Sequence, residues 1–311
     1  MEYITLKHSD LRVSRLCMGG CPMGGHGWGI VQEQELVNAV HAALERGINF
    51  FDTADTYGLG QSERTLGRAL GNRRSKAVIA TKFGVRVENG TTFYDNSPQW
   101  IRTACENSLR RLGTDYIDLY QIHYRDGKTD IHTVLDTLED LRREGKIRYF
   151  GLSNPNREDL WELEGLKGRF VSIQNQYSLA SREQEEDILT LSRELELNPL
   201  TWGSLGQGVL TGKYDRTAVF GSDDRRSREI YVNFHGEKLL KNLNIVEHMR
   251  PIAAAHGKPV SAVAVRFILD YLPESVVLCG VKRPEQILSN AEALGWHLTR
   301  QEIDLLEAVS R

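Results

Sequence analysis

The stretch that decides the fold prediction is Gly47-Ile48-Asn49-Phe50-Phe51-Asp52-Thr53-Ala54-Asp55-Thr56-Tyr57-Gly58. Its short apolar run is typical of a strand buried on both faces, and the run ends at Asp52. Tyr57 follows, at the point where glycines begin to interrupt the pattern. A strand that ends in this way delivers polar groups to a pocket, so the stretch predicts one wall of a functional site.

Strand and helix signals alternate on both sides of this stretch. Apolar runs predict strands at residues 13–18, 77–82, 116–123, 147–154, 170–176, 199–203 and 275–280. Helical spacing and capping residues predict helices at 32–46, 62–70, 98–112, 131–144, 157–166, 183–195, 238–256, 261–272, 284–294 and 300–309. With the opening stretch there are eight strand candidates, each followed by helix, which favours a closed (β/α)₈ TIM barrel over a doubly wound open sheet. Weak alternation over residues 2–14 predicts a β-hairpin ahead of the barrel, and the last helices are extra C-terminal ones.

Length and composition narrow the function classes. The 311 residues suit one barrel domain spanning 1–311, because such barrels occupy roughly 250 residues before insertions. A net charge of −3 gives no positive field for nucleic acid or an anionic membrane, so we expect a small-molecule ligand. A charged N-terminus and the lack of a long apolar run predict a cytoplasmic protein. Four scattered cysteines resemble neither a disulfide framework nor a zinc site, and no metal is expected.

A Rossmann-type dinucleotide site can be tested directly in the sequence. It needs Gly-x-Gly-x-x-Gly directly after a strand. The pair Gly206 and Gly208 comes nearest, but Thr211 stands where the third glycine belongs. The sequence therefore contains no such fingerprint.

Polar side chains interrupt the predicted strands at one end. Asp52, Lys82, His123, the pair Ser153-Asn154, and Gln174 each close or follow an apolar run. The carboxyl ends of barrel strands lie on one face, and that face carries the active site in (β/α)₈ barrels. We therefore expect five polar strand ends to meet in one pocket.

Four of these residue types together predict proton-transfer chemistry. A buried Lys82 needs a counter-charge, because breaking a buried pair costs about 3–5 kcal/mol, and Asp52 is its natural partner. An ammonium beside Tyr57 favours the phenolate and should lower the pKa of that tyrosine from about 10. His123 can orient a carbonyl oxygen. Each residue alone is more often structural; the four together favour a site that gives a proton to a carbonyl as hydride arrives.

At these residues the chain resembles the aldo-keto reductase superfamily, in its bacterial and potassium-channel β-subunit-like branch. The resemblance is carried by residues 49–58 with Ser62-Glu63, by Ile79-Ala80-Thr81-Lys82, and by residues 112–123, which end at His123. It implies a (β/α)₈ barrel that reduces aldehydes and ketones with a nicotinamide cofactor, usually NADPH, and without a metal. It makes Tyr57 the general acid, Lys82 and Asp52 the pair that tunes it, and His123 the substrate-orienting group.

The same resemblance implies cofactor-binding residues. Ser153, Asn154 and Gln174 would bind the nicotinamide carboxamide, and Tyr177, an aromatic after the sixth strand, would stack on its ring. The segment 205–213, with Leu205, Gly206, Gly208 and Lys213, resembles a pyrophosphate-binding loop, which suits glycine-exposed backbone N–H groups. Trp202-Gly203-Ser204-Leu205 replaces the family's usual Tyr-Ser-Pro-Leu, so we expect a differently shaped turn there.

The C-terminal region resembles the family's adenosine-phosphate site. Its implied residues are Gly280, Lys282, Arg283, Gln286 and Asn290. Many members have Lys at the position of Gly280 and Arg at that of Gln286, and this chain offers Lys282 and Arg283 instead. NADP(H) is therefore the expected cofactor, with NAD(H) also possible.

Substrate contacts should come from loops and from the proposed catalytic groups. Trp28, Tyr57, His123 and Tyr124 are the candidates, and the neighbouring loops suggest an aromatic site with enough polarity for sugars or keto-sugars. The charged run 223–228 is more typical of a solvated surface; the alternative is a mobile clamp over the bound cofactor or over an acidic substrate.

Two other functions remain open from the sequence. Some relatives resemble potassium-channel β-subunits, which would make the chain a cofactor-binding regulatory protein. A lysine at a barrel strand end also serves Schiff-base aldolases, with Lys82 as the nucleophile.

Overall fold

The computed structural model describes residues 1–25 and 27–311. Its strands are β1 (Tyr3–Thr5), β2 (Arg12–Ser14), β3 (Leu16–Gly19), β4 (Phe50–Asp52), β5 (Val78–Phe83), β6 (Val85–Glu88), β7 (Thr91–Tyr94), β8 (Ile117–Ile122), β9 (Ile147–Ser153), β10 (Ser172–Gln176), β11 (Asn198–Trp202) and β12 (Val276–Gly280). Its helices are α1 (Glu33–Glu45), α2 (Gln61–Leu70), α3 (Pro98–Leu112), α4 (Ile131–Arg143), α5 (Leu160–Leu163), α6 (Glu185–Glu194), α7 (Gly236–His256), α8 (Val260–Tyr271), α9 (Pro284–Ala291) and α10 (Arg300–Ser310).

Eight parallel strands close into a barrel in the order β3-β4-β5-β8-β9-β10-β11-β12. Helix follows each of them, and α8 and α10 are additional to the eight repeats. The predicted (β/α)₈ barrel, its N-terminal hairpin (β1–β2) and its extra C-terminal helices are confirmed. The carboxyl ends of the barrel strands therefore share one face, as the site prediction requires.

Two apolar clusters hold the barrel together. One fills the barrel interior and includes Leu6 and Leu11 from the hairpin segment, which contact strand residues such as Phe50 and Leu119. The larger one lies between the strands and the helices. Apolar burial of this kind stabilises by roughly 25 cal/mol per Å². The carboxyl ends of the barrel strands, which we call the barrel mouth, therefore lie on a rigid scaffold whose opposite end is covered by the hairpin.

Three local predictions differ from the structure. The predicted strand 13–18 divides at Arg15, where the chain leaves the hairpin and enters the barrel. The predicted helix 157–166 is a series of short helical turns with α5 at its centre, and only Leu163 and Leu166 in it are buried. The stretch between the predicted strand 77–82 and the predicted helix 98–112, for which no strand was predicted, contains the hairpin β6–β7, whose turn is Asn89-Gly90. Both turn residues have positive φ, and Asn-Gly is a strong hairpin signal.

Several helices begin at capping residues that the sequence supplies. Ser97 accepts a hydrogen bond from the Trp100 N–H ahead of α3, and Asp130 caps α4 in the same way. Thr299 and Glu302 form a capping box at α10. Each such cap stabilises its helix by about 1 kcal/mol.

We find no individual helix in residues 1–25 and 27–311 that has both the length and the apolar character to cross a membrane. Helices α7 and α8 reach that length and composition only as a pair bent by 93°.

Candidate active site

A buried ion pair lies at the carboxyl end of the barrel. Lys82, on β5, donates from Nζ to Asp52 Oδ1 at 2.6 Å and to the Thr53 carbonyl at 2.8 Å. Lys82 is fully buried and Asp52 is 3% exposed. Strand register fixes this meeting, since β4 and β5 pair directly at Asp52 and Ala80. The pair is well enclosed and hydrogen bonded, which is the condition for two charges to be stable away from water.

Tyr57 and His123 complete the predicted group of four. The ring centroid of Tyr57 lies 5.2 Å from Lys82 Nζ and 6.0 Å from the imidazole centroid of His123, which it meets edge-on. Gly24 packs against the tyrosine backbone, where a Cβ would lie 2.7 Å from the Tyr57 carbonyl carbon. A glycine at position 24 therefore lets the first barrel loop approach Tyr57.

Protonation differs from the expectation at Tyr57. Burial raises the pKa of its hydroxyl well above 10, with smaller contributions from Cys21, Asp52 and Tyr124. The predicted lowering by Lys82 is wrong for this structure, because burial dominates the shift and the ammonium is already paired with Asp52 at 2.6 Å. The phenol is consequently fully protonated at neutral pH. A protonated phenol is the state that a proton donor needs.

His123 is neutral in this environment. Burial first, and the charge of Lys82 second, lower the pKa of its imidazole to about 3. Its Nδ1 is buried, with no hydrogen-bond partner among residues 1–25 and 27–311. A neutral imidazole can donate one hydrogen bond to a carbonyl oxygen without competing for the proton.

Two glutamine amides share the second oxygen of Asp52. Gln174 donates from Nε2 to Asp52 Oδ2 at 2.8 Å, and Gln121 donates to the same oxygen at 3.2 Å. Gln121 was not among the predicted site residues. Its position two residues before His123, on the same face of β8, is the sequence signal that could have identified it.

Asn154 connects three strand ends. It adopts a left-handed backbone, with φ of 57°, and donates from Nδ2 to the His123 carbonyl and to Ser153 Oγ, both at 3.2 Å. Its Oδ1 accepts a hydrogen bond from Trp202 Nε1, also at 3.2 Å. Ser153 in turn donates to the Gln174 carbonyl at 3.3 Å. The structure thus brings the predicted carboxamide-binding residues beside the group of four.

Tyr177 does not lie at this mouth. It is fully buried, its hydroxyl donates to Glu185 Oε2 at 2.7 Å, and its ring stacks on Tyr271 at 6.4 Å. Trp202, at the end of β11, is the aromatic that reaches the Asn154 side chain. The sequence offered a signal for this position, because Trp202 stands where the usual Tyr-Ser-Pro-Leu segment has its tyrosine.

The glycine loop after β11 has the backbone of an anion site. Gly206, Gln207 and Gly208 all have positive φ. A Cβ on Gly208 would lie 3.7 Å from the Arg226 guanidinium, so a cation flanks this bare backbone. Leu205 begins the loop half-buried, and Lys213 follows it on the exposed surface. Bare backbone beside a guanidinium fits a phosphate group.

The predicted adenosine-phosphate residues lie around the start of α9. Lys282 donates its backbone N–H to Gln286 Oε1 at 2.7 Å and its ammonium to the Trp28 carbonyl at 2.5 Å. Arg283, the N-cap residue of α9, is exposed, and its Nε lies 3.9 Å from Glu285 Oε2, which is long for an ion pair. Elsewhere in this group, Gly280 ends β12 against Pro22, and Asn290 is buried in α9.

Three loops, which follow β3, β11 and β12, meet near these sites. We call Trp28, Asp224, Arg225 and Lys282 the loop junction. Trp28 forms a backbone bridge with Asp224, and the Arg225 guanidinium lies 4.9 Å from the Trp28 ring centroid. Asp224 is 5% exposed and bonded to Arg226, so the charged run 223–228 is not simply a solvated surface. Burial and the neighbouring Arg226 lower the pKa of Lys282.

Aromatic rings extend from His123 to the hairpin β6–β7. Tyr124 stacks on His123 at 5.1 Å and on Tyr94 of the hairpin at 5.2 Å. Tyr94 is half-exposed, and it is one of the loop aromatics that suggested an aromatic-lined site. The predicted substrate residue Tyr124 thus lies beside the group of four, whereas Trp28 belongs to the loop junction.

Across residues 1–25 and 27–311, no three His, Cys, Asp or Glu side chains converge as a metal site requires.

Comparison with known proteins agrees with this geometry. Residues 15–311 match the model of the Aldo/keto reductase family. A glycerol dehydrogenase from Gluconobacter oxydans has the same fold with a TM-score of 0.89 at 36% identity, covering 99% of this chain and 94% of that one.

Two further similarities concern cofactors. The NADH-specific methylglyoxal reductase of Escherichia coli is 32% identical over 326 residues, covering 100% of this chain and 98% of that protein. An aldo-keto reductase from Klebsiella pneumoniae, solved in complex with NADPH, superposes with a TM-score of 0.77 at 26% identity, covering 100% of this chain and 96% of that one.

Proposed function

The chain belongs to the aldo/keto reductase family, and from that premise we propose that it is an NAD(P)H-dependent oxidoreductase that reduces the carbonyl of an aldehyde or a ketone. The observation that carries the proposal is a protonated Tyr57 beside the buried Lys82–Asp52 pair and a neutral His123. The proposal includes residues 1–311 acting as one domain. It also includes a cytoplasmic location, which the four free cysteines favour.

The residues around the mouth fit the nicotinamide end of the cofactor. Ser153, Asn154 and Gln174 offer amide and hydroxyl groups to the carboxamide, and Trp202 offers a ring face for stacking. His123 Nδ1, buried and without a described partner, is a polar atom that suits a bound substrate oxygen. When bound, the reduced nicotinamide supplies a hydride.

The remaining cofactor contacts fall on the glycine loop and on α9. Gly206 and Gly208, with Arg226 beside them, would hold the pyrophosphate, and Leu205 and Lys213 would flank it. At the adenosine end we assign Gly280, Lys282, Arg283, Gln286 and Asn290. The basic pair Lys282-Arg283 favours NADPH, while the NADH-specific relative keeps NADH a candidate.

Tyr57 would complete the reduction as the general acid. The carbonyl carbon gains a hydride, and the carbonyl oxygen takes the hydroxyl proton of Tyr57 as negative charge develops on it. Lys82 would hold the Tyr57 ring in place for this transfer, since its ammonium lies 5.2 Å from the ring centroid and is fixed by Asp52. His123 orients the substrate oxygen through an N–H donor. Tyr124 and Trp28 would contribute to the walls that hold the rest of the substrate.

The geometry does not favour Schiff-base chemistry. A Schiff base requires the neutral amine of Lys82. Here Nζ donates to Asp52 and to the Thr53 carbonyl, contacts that hold the ammonium form.

A substrate panel tests the proposal. Oxidation of NADPH and of NADH would be followed at the nicotinamide absorbance with methylglyoxal, glyceraldehyde, dihydroxyacetone, aldoses and keto-sugars. The first three are included because two similar proteins are named for glycerol and methylglyoxal. We expect cofactor oxidation that depends on at least one carbonyl compound.

Other outcomes would contradict it. Tight cofactor binding without turnover, with a co-purifying protein, would indicate a regulatory protein. Borohydride trapping of substrate on Lys82, with no cofactor oxidation, would indicate an aldolase.

A further inference from the structure

The two glutamines on Asp52 form a polar layer inside the barrel mouth. In (β/α)₈ barrels a layer of interior side chains comes from alternate strands. β4, β8 and β10 are alternate strands of this barrel, and they contribute Asp52, Gln121 and Gln174 to one hydrogen-bonded set. Gln121 and Gln174 are also bonded to each other, with Gln174 Nε2 lying 3.4 Å from Gln121 Oε1.

Backbone packing leaves room for Gln121 in this layer. Gln121 pairs in register with Lys82 on one side and with Gly151 on the other. A Cβ at position 151 would lie 3.3 Å from Gln121 Cγ and 2.5 Å from Ser172 Oγ. A glycine in β9 is therefore what allows the Gln121 side chain to turn into the barrel interior.

The two carboxylate oxygens of Asp52 accept hydrogen bonds from different donors. Oδ1 holds Lys82, and Oδ2 accepts two amide N–H groups. Gln121 and Gln174 have 0% and 2% exposure, so each amide must find its partners within the protein.

We propose that Gln121 is a positioning residue that locks Gln174 and Asp52 into one unit and so couples nicotinamide binding to the proton donor. This inference rests on the proposed function. With its Nε2 directed at Asp52 and Gln121, Gln174 can turn only its Oε1 toward a carboxamide N–H. Gln121 fixes that orientation, and through Asp52 it also holds Lys82 beside Tyr57.

A double-mutant cycle tests the coupling. Gln121→Met keeps the side-chain volume but removes the amide. It is expected to raise the dissociation constant for NADPH about tenfold, measured by quenching of tryptophan fluorescence, because a buried hydrogen bond to a charged network is lost. The turnover number should fall by a similar factor, while the KM for the carbonyl substrate stays within about twofold. In a Gln174→Met background, Gln121→Met should have no further effect on the NADPH dissociation constant.

Gln121→Glu separates the two parts of the unit. Its oxygen can still accept from Gln174, so the NADPH dissociation constant should remain within about twofold of the unmodified chain. Turnover should nevertheless fall at least about tenfold, because Asp52 loses a donor and gains a neighbouring carboxylate. Tyr120→Phe is the matched control on the same strand, since the Tyr120 hydroxyl has no described partner and its ring packs on Phe83 outside the mouth. It should change neither quantity.

The outcomes distinguish this inference from the proposed function. If the unmodified chain does not bind NADPH or NADH, the proposed function fails. If it binds but Gln121→Met and Gln121→Glu leave binding and turnover within about twofold, or if the effects of Gln121→Met and Gln174→Met on binding add, the positioning role is overturned. If Gln121→Met shows no melting transition by circular dichroism, the variant is unfolded. The turnover and NADPH dissociation constant of Gln121→Glu then test the positioning role.

Discussion

The barrel mouth and the loop junction hold their functional groups in different ways. Lys82 and Asp52 lie on paired strands, fully or almost fully buried, and their position follows from backbone register. Trp28, Asp224 and Lys282 come from three separate segments outside the barrel strands and meet through one isolated backbone bridge and a 2.5 Å bond from Lys282 Nζ to the Trp28 carbonyl. The proposed proton-transfer group is therefore built into the scaffold, whereas the proposed contacts to the adenosine end of the cofactor lie on loops.

This difference separates the expected effects of mutation. Changes in the mouth should alter turnover with little effect on the loops, because the strands fix the geometry independently of them. Changes near the loop junction should alter cofactor affinity and selectivity while leaving the chemical step intact.

The largest expected effect is at Tyr57. Tyr57→Phe removes the protonated hydroxyl and keeps the ring against His123. Loss of a general acid typically costs about 10²–10⁴-fold, and we expect a turnover number lower by that factor. Steady-state kinetics would measure it, and the NADPH dissociation constant should stay within about twofold. Turnover near that of the unmodified chain would show that another group supplies the proton.

Trp202 lies at the end of β11, beside Asn154, and should show a smaller effect. Trp202→Ala removes the ring and the bond to Asn154, and we expect a weaker dissociation constant for both NADPH and NADH by about tenfold or more, on the scale of aromatic stacking. Trp202→Phe keeps a ring but not the hydrogen bond, so it should recover most of the affinity. If both variants lost the same cofactor affinity, the hydrogen bond from Trp202 to Asn154, and not ring stacking, would account for the effect. Tyr177→Phe, at the buried aromatic, should leave cofactor affinity unchanged.

Arg283 and Lys282 should differ in cofactor selectivity. The Lys282 ammonium donates a hydrogen bond to the Trp28 carbonyl, whereas Arg283 is exposed at the start of α9. We expect Arg283→Ala to weaken NADPH about tenfold and to leave NADH unchanged, because only NADPH carries the extra phosphate. Lys282→Met should weaken both cofactors by a similar, smaller factor. Raising the salt concentration should reduce the Arg283 effect. A larger NADPH-specific loss in Lys282→Met would reverse the assignment.

The same division explains what the sequence could predict. Asp52, Lys82 and His123 are recognisable because a polar residue that ends an apolar strand lies at the carboxyl face of the barrel. The register of the paired strands then brings these residues together. Asn154 and Gln174 were found for the same reason. Gln121 was missed because it lies inside an apolar run rather than at its end, although its spacing of two residues from His123 was a usable signal; the structure shows that it faces Asp52.

The loops depended on tertiary contacts that local pattern does not contain. The buried position of Asp224 results from pairing with Trp28, far away in sequence, so the run 223–228 resembled solvated surface. Tyr177 was assigned by its place after a strand, yet its side chain points to Glu185 and Tyr271. The pKa of Tyr57 was expected to fall because the sequence places Lys82 nearby but does not show how deeply the tyrosine hydroxyl is buried, and burial is the main cause of the raised pKa.

The smallest expected effect is that of pH on the chemical step. His123 has a pKa of about 3 and the pKa of Tyr57 is raised above 10, so neither group changes charge between pH 5 and 8: the imidazole stays neutral above its lowered pKa, and the phenol stays protonated below its raised one. We expect the turnover number for reduction to vary by less than about twofold across that range, measured with saturating cofactor in buffers of constant ionic strength. His123→Asn should lower turnover yet keep the profile flat. A step near pH 6.5 that disappears in His123→Asn would mean that water reaches the imidazole, and the barrel mouth would then be as open to solvent as the surface around Arg283.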